Sequence, residues 1–300
     1  MAFDRLVYSP LVERPRLRWP GGARLAVWIV PNIEHYEYLP DVRVRDPWPR
    51  VPHPDVMGFG SRDYGNRVGF WRLLDVMDRY SVPCTVSLNA AAYVHYPEIR
   101  DACLSRRWDH MAHGVYNTRY HWNLDEDEER AAIAECLDLC RQVTGSTPAG
   151  WLSPANTNTW RTPDLIAEAG IRYYCDIPHD EQPFPIKVRS GRLITMPYQL
   201  DVNDGLSFRH NIEAEDFADS VIALFDALYE DGAATGRVMC FAPHPYILGQ
   251  PHRVRALDRI IRHIVRREDV WVATGSEIAD WYIANYLPQL EARLVEGVSS

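Results

Sequence analysis

The sequence of 300 residues is 46% hydrophobic and 24% charged, which is typical of a globular protein with a large core and excludes a disordered chain. Its formal net charge of −9 argues against nucleic acid as a partner, because the neutralisation of phosphates requires a basic surface. No apolar stretch approaches the roughly 20 residues that span a membrane, and residues 1–20 lack the apolar core of a secretion signal. We therefore expect a cytoplasmic protein, with reduced cysteines and no membrane partner.

The first part of the chain predicts one strand–helix–strand unit between irregular segments. Residues 1–20 mix charges and prolines and predict an extended arm. Residues 24–30 predict a buried strand, residues 68–80 a helix, and residues 82–88 a second strand. Residues 40–65 are rich in Pro, Gly, His and Asp and predict a long loop, which in a compact protein is usually functional or disordered.

The same alternation continues to the C-terminus. Further helices are predicted over residues 96–106, 126–143, 163–169, 214–229, 254–265 and 276–286. Further strands are predicted over residues 108–112, 171–175, 193–197, 238–242 and 270–273. Asp125 is a predicted N-cap, and Gly145 ends the helix that it begins. Strands that alternate with helices imply a mainly parallel sheet, in which the chemistry lies on loops after the carboxyl ends of the strands.

Polar and ionisable side chains follow the predicted strands one after another. They are Asn32, Glu34, His35, Asn89, His113, Asn117, Trp151, Ser153, Pro154, Asn156, Asp176, His179, Asp180 and His244. Because the carboxyl ends of parallel strands meet at one edge, each loop can contribute one group to a common site. This recurrence predicts a single active site, although His113 alone could equally be an ordinary buried histidine.

Four short motifs occur in a characteristic order: His113-Gly114, Gly150-Trp-Leu-Ser-Pro154, Tyr174-Cys-Asp176 and His244-Pro245. In this order they resemble the motifs of the polysaccharide deacetylase superfamily, in particular the subgroup of cofactor-independent allantoinase, cyclic imide hydrolases and a peptidoglycan-deacetylase-like enzyme. The segment Ser61-Arg-Asp-Tyr-Gly65 also resembles that subgroup's entry segment. The resemblance extends over about residues 24–286, by the predicted positions of the regular elements.

The resemblance implies an α/β fold, an irregular (β/α) barrel of seven or eight mainly parallel strands. We expect an N-terminal arm over residues 1–23, a catalytic domain over 24–290 and a C-terminal tail over 291–300. The implied activity is hydrolysis of a carbon–nitrogen bond other than a peptide bond, in a small linear or cyclic amide, imide or ureide. Polysaccharide or peptidoglycan N-deacetylation and a catalytically inactive ligand-binding barrel remain as alternatives.

In the metal-dependent members, the resemblance implies a divalent ion held by an aspartate and by two histidines four residues apart. Here His113 is followed four residues later by Asn117, and the first strand ends in Asn32-Ile-Glu34. An amide oxygen is a weaker ligand than imidazole for ions such as zinc. We therefore expect no tightly bound metal, while a looser site formed by His113 with Glu34 or His35 stays open.

The proposed chemistry requires an activated water, a stabilised oxyanion and a proton for the leaving nitrogen. Glu34 with a raised pKa is the predicted base, with Asp176 as the second choice, and His244 is the predicted acid. His113 and Asn117 are predicted to hold the substrate carbonyl. The remaining predicted substrate contacts are Asn32, Arg62, Asp63, Tyr64, Trp151, Ser153, Pro154 and Asn156, with core packing as the alternative for Trp151. The arm and the apolar residues 281–290 predict a homo-oligomer.

Overall fold

The structure, a computed structural model, describes residues 4–40, 54–210 and 212–298. Its strands are Leu25–Ile29 (β1), Asn32–Ile33 (β2), Thr85–Leu88 (β3), Asp109–Ala112 (β4), Gly150–Trp151 (β5), Tyr173–Tyr174 (β6), Phe184–Ile186 (β7), Leu193–Thr195 (β8), Arg237–Phe241 (β9) and Val270–Val272 (β10). Its helices are Val56–Tyr64 (α1), Phe70–Tyr80 (α2), Ala92–His95 (α3), Pro97–Ser105 (α4), Glu126–Thr144 (α5), Thr162–Glu168 (α6), Asp204–Ser207 (α7), Ala214–Asp231 (α8), Pro245–Leu248 (α9), Val254–Val265 (α10), Gly275–Asn285 (α11) and Leu287–Val298 (α12).

The strands form two hydrogen-bonded sheets, in the orders β10-β1-β9 and β2-β3-β4-β5-β6-β8-β7. Every pair is parallel except β7 with β8. The two sheets meet where β1 gives way to β2, through a parallel bridge between Ile29 and Cys84. With β1 and β2 counted as one interrupted strand, the described residues contain eight parallel strands. The predicted irregular (β/α) barrel is confirmed.

The other junction of the barrel, between β8 and β9, is bridged by a side chain. The Nε2 amide of Gln199 donates to the carbonyl of Val238 at 3.1 Å, and the backbone N–H of Cys240 donates to Gln199 Oε1 at 2.6 Å. An amide side chain offers one donor and one acceptor, as a peptide group does. Gln199 therefore supplies the hydrogen bonds that a neighbouring strand would otherwise make to β9.

The side chains of β1 alternate between two layers of core. Trp28 contacts Tyr173 of β6 across the barrel at 5.9 Å between ring centroids, so this side of β1 faces the interior. Val27 belongs to the cluster that contains Phe225 of α8 and Ile260 of α10, so the other side faces the outer helices. Because successive side chains of a strand point to opposite faces, a strand buried on both faces needs an almost continuous apolar sequence.

Several segments differ from the sequence-based expectation, including β5 and the short helices α3, α7 and α9, which were not predicted. Part of the predicted loop 40–65 is helix α1, which begins at the N-cap Asp55 and continues through a π-helical stretch, Gly65–Gly69, into α2. Residues 41–53 of that predicted loop lie outside the described part of the chain. Strand β7 was not predicted because it contains Pro185, and proline is confined to edge strands. Residues 287–298 are helical, including most of the predicted tail.

The arm packs closely on the rest of the chain. Leu17 and Trp19 are buried, and the indole N–H of Trp19 donates to the carbonyl of Arg237 at 2.8 Å. Arg14 forms an ion pair with Asp180. Within the described ranges, we find no helix with the length and apolar character that crossing a membrane requires.

Candidate active site

A close contact between helices positions the loop that follows β9. His244 lies three residues beyond the end of β9 and directly precedes α9. The π-helical stretch packs against α9 so tightly that a Cβ on Gly69 would lie 2.0 Å from the carbonyl oxygen of Pro245. Gly249 approaches the same backbone, since a Cβ there would lie 2.5 Å from the Cα of Gly69. Only glycine permits this approach, which fixes the position of His244.

The centre of the site is a buried carboxylate between two imidazoles. Glu34 Oε1 lies 3.5 Å from His113 Nε2 and 3.6 Å from His244 Nε2. Glu34 follows β2, His113 follows β4 and His244 follows β9, so three distant parts of the sequence meet here. The predicted convergence of Glu34 and His244 at one end of the barrel is present in the structure.

His244 is held on its other side by Asp204, a residue that sequence analysis missed. The Nδ1 atom of His244 is hydrogen-bonded to Asp204 Oδ1, and the backbone N–H of His244 donates to Asp204 Oδ2 at 2.8 Å. Asp204 begins the short helix α7, whose N-cap Asn203 accepts from Leu206 at 3.3 Å. Asn203-Asp204-Gly205 looks like an ordinary turn in sequence and begins six residues beyond the predicted strand 193–197, too far from its carboxyl end to be selected as a site segment.

These contacts determine the charge states of His244 and Glu34. Burial by itself disfavours the cationic ring, yet Asp204 and Glu34 raise the pKa of His244 to about 10. Burial also disfavours the Glu34 carboxylate, but His244 and His113 together lower the pKa of Glu34 well below its usual range. The expectation that Glu34 has a raised pKa is therefore wrong, because two neighbouring imidazoles outweigh desolvation.

The orientation of the His113 ring follows from its partner. Its Nδ1 atom lies 2.9 Å from the carbonyl oxygen of Leu152, which can only accept a hydrogen bond. Nδ1 therefore carries the proton, and Nε2 is the atom that faces Glu34.

Tyr36 extends the site from Glu34 to Asn117. The Tyr36 hydroxyl donates to Glu34 Oε2 at 2.9 Å and accepts from the Nδ2 amide of Asn117. Burial and the Glu34 charge raise the pKa of Tyr36, so its hydroxyl remains a donor. Arg62 lies over the Tyr36 ring, 4.4 Å from its centroid. Sequence analysis missed Tyr36, although Glu34 and Tyr36 have the two-residue spacing that places side chains on one side of an extended segment.

The predicted groups after β5 and β6 form a buried network beside His113. Trp151 donates to the hydroxyl of Ser153 at 3.0 Å, and the backbone N–H of Ser153 donates to Asp176 Oδ1 at 2.8 Å. Pro154 packs against Gly114, where a Cβ would lie 2.4 Å from the proline ring. Burial raises the pKa of Asp176. These four side chains support the wall of the active-site cavity, but none of them lines the cavity itself.

Three other predicted contacts lie on helix α1 rather than on a loop over the substrate, so that expectation is wrong. Arg62 contacts the far side of Tyr36 and donates to the carbonyl of Gly58 at 2.9 Å. Asp63 accepts from Tyr96 at 2.9 Å, and the Tyr64 hydroxyl accepts from Arg72. None of the three is among the described residues that line the active-site cavity, because helix α1 directs their side chains toward Tyr36, Tyr96 and Arg72.

The site opens into a cavity of about 260 Å³. It is lined by Asn32, Glu34, Tyr36, His113, Asn117, Leu152, Ala155, Asn156, Tyr198, Leu200, Asn203, Gly205, Leu206, Arg209, His244 and Tyr246. The predicted contacts Asn32, Asn117 and Asn156 thus lie in the same cavity as the central triad. The wall contributed by residues 198–209 was not predicted, because most of it lies several residues beyond the end of the predicted strand 193–197.

The residues of the site do not fit a resident metal ion. No group of three or more His, Cys, Asp or Glu within the described ranges could hold one. Glu34 is engaged by Tyr36 and by the cationic His244, and Asn117 offers an amide where imidazole would bind more strongly. His35, the alternative ligand, points its Nδ1 at the Tyr96 hydroxyl at 3.1 Å and stacks on His95. We therefore assign no chemical step to a metal.

Comparison with known proteins gives the same family at each level. Residues 61–174 match the family model of polysaccharide deacetylases. A Schizosaccharomyces pombe protein whose name proposes polysaccharide deacetylase activity is 25% identical over 89% of this chain and 93% of its own length. The crystal structure of PuuE allantoinase is 25% identical and superposes with a TM-score of 0.79, covering 90% of this chain and 94% of that one.

A further crystal structure, of a probable polysaccharide deacetylase from Pseudomonas aeruginosa PAO1, is 28% identical with a TM-score of 0.77. It covers 91% of this chain and 96% of that one. Sequence, fold and relatives thus confirm the predicted resemblance, and the chain is a polysaccharide-deacetylase-like enzyme, a hydrolase of carbon–nitrogen bonds other than peptide bonds.

Proposed function

We propose that the substrate is a small linear or cyclic amide, imide or ureide, and that Glu34, His113 and His244 act on its carbon–nitrogen bond. The observation that carries this proposal is the position of Glu34 Oε1 within 3.6 Å of both imidazole Nε2 atoms. An ionised carboxylate beside a cationic imidazole supplies a proton acceptor and a proton donor on one scissile bond. His113 Nε2, 3.5 Å from Glu34 Oε1, can orient the attacking water.

In the first step, water attacks the carbonyl carbon while one of its protons passes to Glu34. A carbon–oxygen bond forms, and the charge that develops on the carbonyl oxygen is stabilised by the nearby His244 cation. In the second step, His244 Nε2 gives its proton to the leaving nitrogen as the carbon–nitrogen bond breaks. The predicted role of His113 as a carbonyl donor would require a second proton on its ring, since Nδ1 already donates to Leu152.

The low pKa of Glu34 is compatible with its role as the base because it depends on His244. The His244 charge makes the largest contribution that lowers the Glu34 pKa. As the developing oxyanion draws the His244 proton toward itself, that contribution weakens and Glu34 becomes more basic while water attacks. Transfer of the proton from Glu34 to His244, 3.6 Å away, then restores the starting state.

The size of the cavity favours a small substrate. Its volume of about 260 Å³ lies just below the range of roughly 300–1,000 Å³ that is usual for pockets enclosing a drug-sized molecule. The name of PuuE allantoinase, one of the similar structures, indicates that it acts on a ureide. Polysaccharide N-deacetylation is the second candidate, favoured by the family model and by the name of the S. pombe relative.

The test compares the hydrolysis of allantoin, succinimide and N-acetylglucosamine oligomers by the purified enzyme. We expect turnover of at least one of the first two, and Glu34→Gln should lower kcat/KM by about 10²–10⁴ because the amide cannot accept the water proton. His263→Gln is the matched control, since His263 pairs with Asp226 on the outer helices. Turnover of the oligomers alone would establish the second candidate, and no turnover at all would favour an inactive binding barrel.

We propose further that the protein acts in the cytoplasm and needs no tightly bound cofactor. The proposed location is supported by the cysteines, since Cys84, Cys103, Cys136, Cys140, Cys175 and Cys240 are all buried free thiols. Metal analysis of the purified protein tests the second part. A stoichiometric divalent ion whose removal abolishes turnover would contradict it.

A further inference from the structure

The hydrogen bonds of the Tyr36 hydroxyl determine which side-chain atom of Asn117 remains available to the substrate. The Tyr36 hydroxyl has one proton, which it donates to Glu34 Oε2. It must therefore accept from Asn117, so the Asn117 atom beside it is the Nδ2 amide. The other atom, Asn117 Oδ1, is buried and has no hydrogen-bond partner in the described part of the chain. This amide thus presents a fixed acceptor in the cavity.

Asn156 presents the complementary group. Its Nδ2 amide is buried and has no hydrogen-bond partner within the described ranges. Asn156 has a φ of 56° and the preceding Ala155 a φ of 51°, so two consecutive residues occupy the left-handed region that non-glycine residues rarely adopt. Such backbone strain persists where the surroundings enforce it, often at ligand sites. Both residues line the cavity.

A buried polar group without a partner is unfavourable, so an unpaired acceptor and an unpaired donor in one cavity are complementary to a ligand with the opposite pattern. The same lining contains the apolar Leu152, Leu200 and Leu206 beside the polar Asn203 and Arg209. A substrate that matches the two amides is small and has an N–H and one further carbonyl. An N-acetyl group has the N–H but carries a methyl where the second carbonyl would lie.

We propose that Asn117 and Asn156 determine specificity by recognising the N–H and the second carbonyl of an imide or ureide. This inference rests on the proposed function, because it assigns two further contacts to the same site. Asn117 Oδ1 accepts from the N–H, Asn156 Nδ2 donates to the carbonyl that is not cleaved, and the scissile carbonyl faces Glu34 and His244. Asn117 therefore binds the N–H group of the substrate, rather than holding the scissile carbonyl as the sequence suggested.

The test measures binding in the Glu34→Gln background, in which the glutamine oxygen still accepts from Tyr36 but turnover is blocked. Calorimetry compares succinimide with N-methylsuccinimide, which lacks the N–H, and with 2-pyrrolidinone, which lacks the second carbonyl. We expect succinimide to bind at least about 10-fold more tightly than either analogue, since each leaves one buried polar atom unpaired. Asn117→Leu should abolish only the preference against the methylated ring, and Asn156→Leu only the preference against the lactam.

Asn285→Leu, on the surface of α11, is the matched control and should leave both preferences unchanged. Circular dichroism identifies any variant that fails to fold. Equal binding of the three rings, loss of both preferences in either variant, or no measurable binding of succinimide would overturn the inference. Turnover by the wild-type enzyme is measured separately. If the three rings bind with the expected preferences but the wild-type enzyme hydrolyses none of the substrates, only the proposed function is refuted. If the enzyme hydrolyses an imide or ureide but the preferences are absent, only the assignment of Asn117 and Asn156 is refuted.

Discussion

At the scale of single residues, the site depends on the ion pair of Glu34 with His244 and on the support that Asp204 gives to the histidine. The three side chains are buried, so their mutual attraction is weakly screened by solvent. The raised pKa of His244 keeps its proton available up to about pH 10. Asp204 therefore acts as a positioning residue that sets the charge of the acid without contacting the reacting atoms.

We predict that Asp204→Asn moves the alkaline limb of the kcat/KM profile to lower pH. The asparagine removes the largest contribution that raises the His244 pKa, so His244 loses its proton earlier as the pH rises. The profile is measured from about pH 5 to 10, with the surface substitution Asp226→Asn as the control. An alkaline limb that does not move would contradict the assigned role of Asp204.

The same shift links His244 to stability. Because the pKa of His244 is about 10 in the folded protein and 6.5 for an unperturbed histidine, the contribution of the charged ring to stability is fully present below about pH 6.5. It is lost as the pH rises through the folded value. The destabilisation caused by Asp204→Asn should therefore be largest at about pH 6.5 and below and should decrease toward pH 10.

Sequence analysis found the three central residues but not their electrostatics. Glu34, His113 and His244 each follow a strand, and the carboxyl ends of parallel strands converge, so their proximity could be predicted. The pKa of Glu34 could not, because it depends on distances of 3.5 and 3.6 Å to two imidazoles that only the folded chain creates. Asp204 was also missed, because its contact with His244, 40 residues away in sequence, exists only in the folded chain.

At the scale of secondary-structure elements, the contact between the π-helical stretch and α9 determines where His244 lies. Both helices approach through glycine, and α9 begins immediately after His244. Any displacement of α9 is therefore transmitted to the acid. Gly65, the last residue of the predicted loop, approaches α9 in the same way, since a Cβ there would lie 2.8 Å from the backbone nitrogen of Tyr246.

We predict that Gly69→Ala lowers both stability and activity. The new Cβ would lie 2.0 Å from the Pro245 carbonyl oxygen, so α9 must move, at a cost of about 1–3 kcal/mol in the free energy of unfolding. Urea denaturation and kcat/KM are the measurements. Gly60→Ala is the control, because nothing lies within 4 Å of its added Cβ and alanine favours a helix by about 0.5–1 kcal/mol. Unfolding midpoints that change equally in both variants would contradict this account.

Long elements with strong periodicity were predicted within one to three residues, as α5 and α10 illustrate. Asp125 caps α5 in a reciprocal pair with Glu128, and Gly145 ends it with a φ of 81°, so both helix limits were encoded locally. Helix α1 and strand β7 were not, because Gly58, Gly60 and Pro185 obscure the local signal and tertiary contacts determine the outcome.

At the scale of the whole molecule, the arm stabilises the barrel from outside its sheet. Trp19 packs against Trp271 at 5.9 Å and Trp281 at 5.3 Å between ring centroids, so it joins β1's neighbour β10 to α11. Arg5 forms an ion pair with Asp164 near the start of α6. The arm thus fastens elements that are far apart in sequence.

We predict that Trp19→Ala destabilises the protein by about 3–5 kcal/mol, because a large buried ring and its hydrogen bond are lost. Thermal and urea denaturation test this expectation. Tyr8→Ala, in the same arm but with a side chain that is 88% exposed, should change stability by no more than about 0.5 kcal/mol. A small effect of Trp19→Ala would show that the arm contributes little.

Self-association remains a prediction for the same region. Tyr8 and Val12 are exposed on the arm and are available to contact a second copy of the chain. Light scattering of the purified protein should give a mass above that of one chain, and Tyr8→Asp with Val12→Asp should reduce it. A monomeric mass for the unaltered protein would contradict the prediction.

The bridge that Gln199 makes between β8 and β9 affects the rigidity of the barrel. Its neighbours in sequence, Tyr198 and Leu200, both line the cavity, so the side chain that joins β8 to β9 lies next to the space that a substrate would occupy. We therefore expect a bound substrate to restrict the Gln199 rotamer and to make this junction of the barrel more rigid than it is in the empty enzyme.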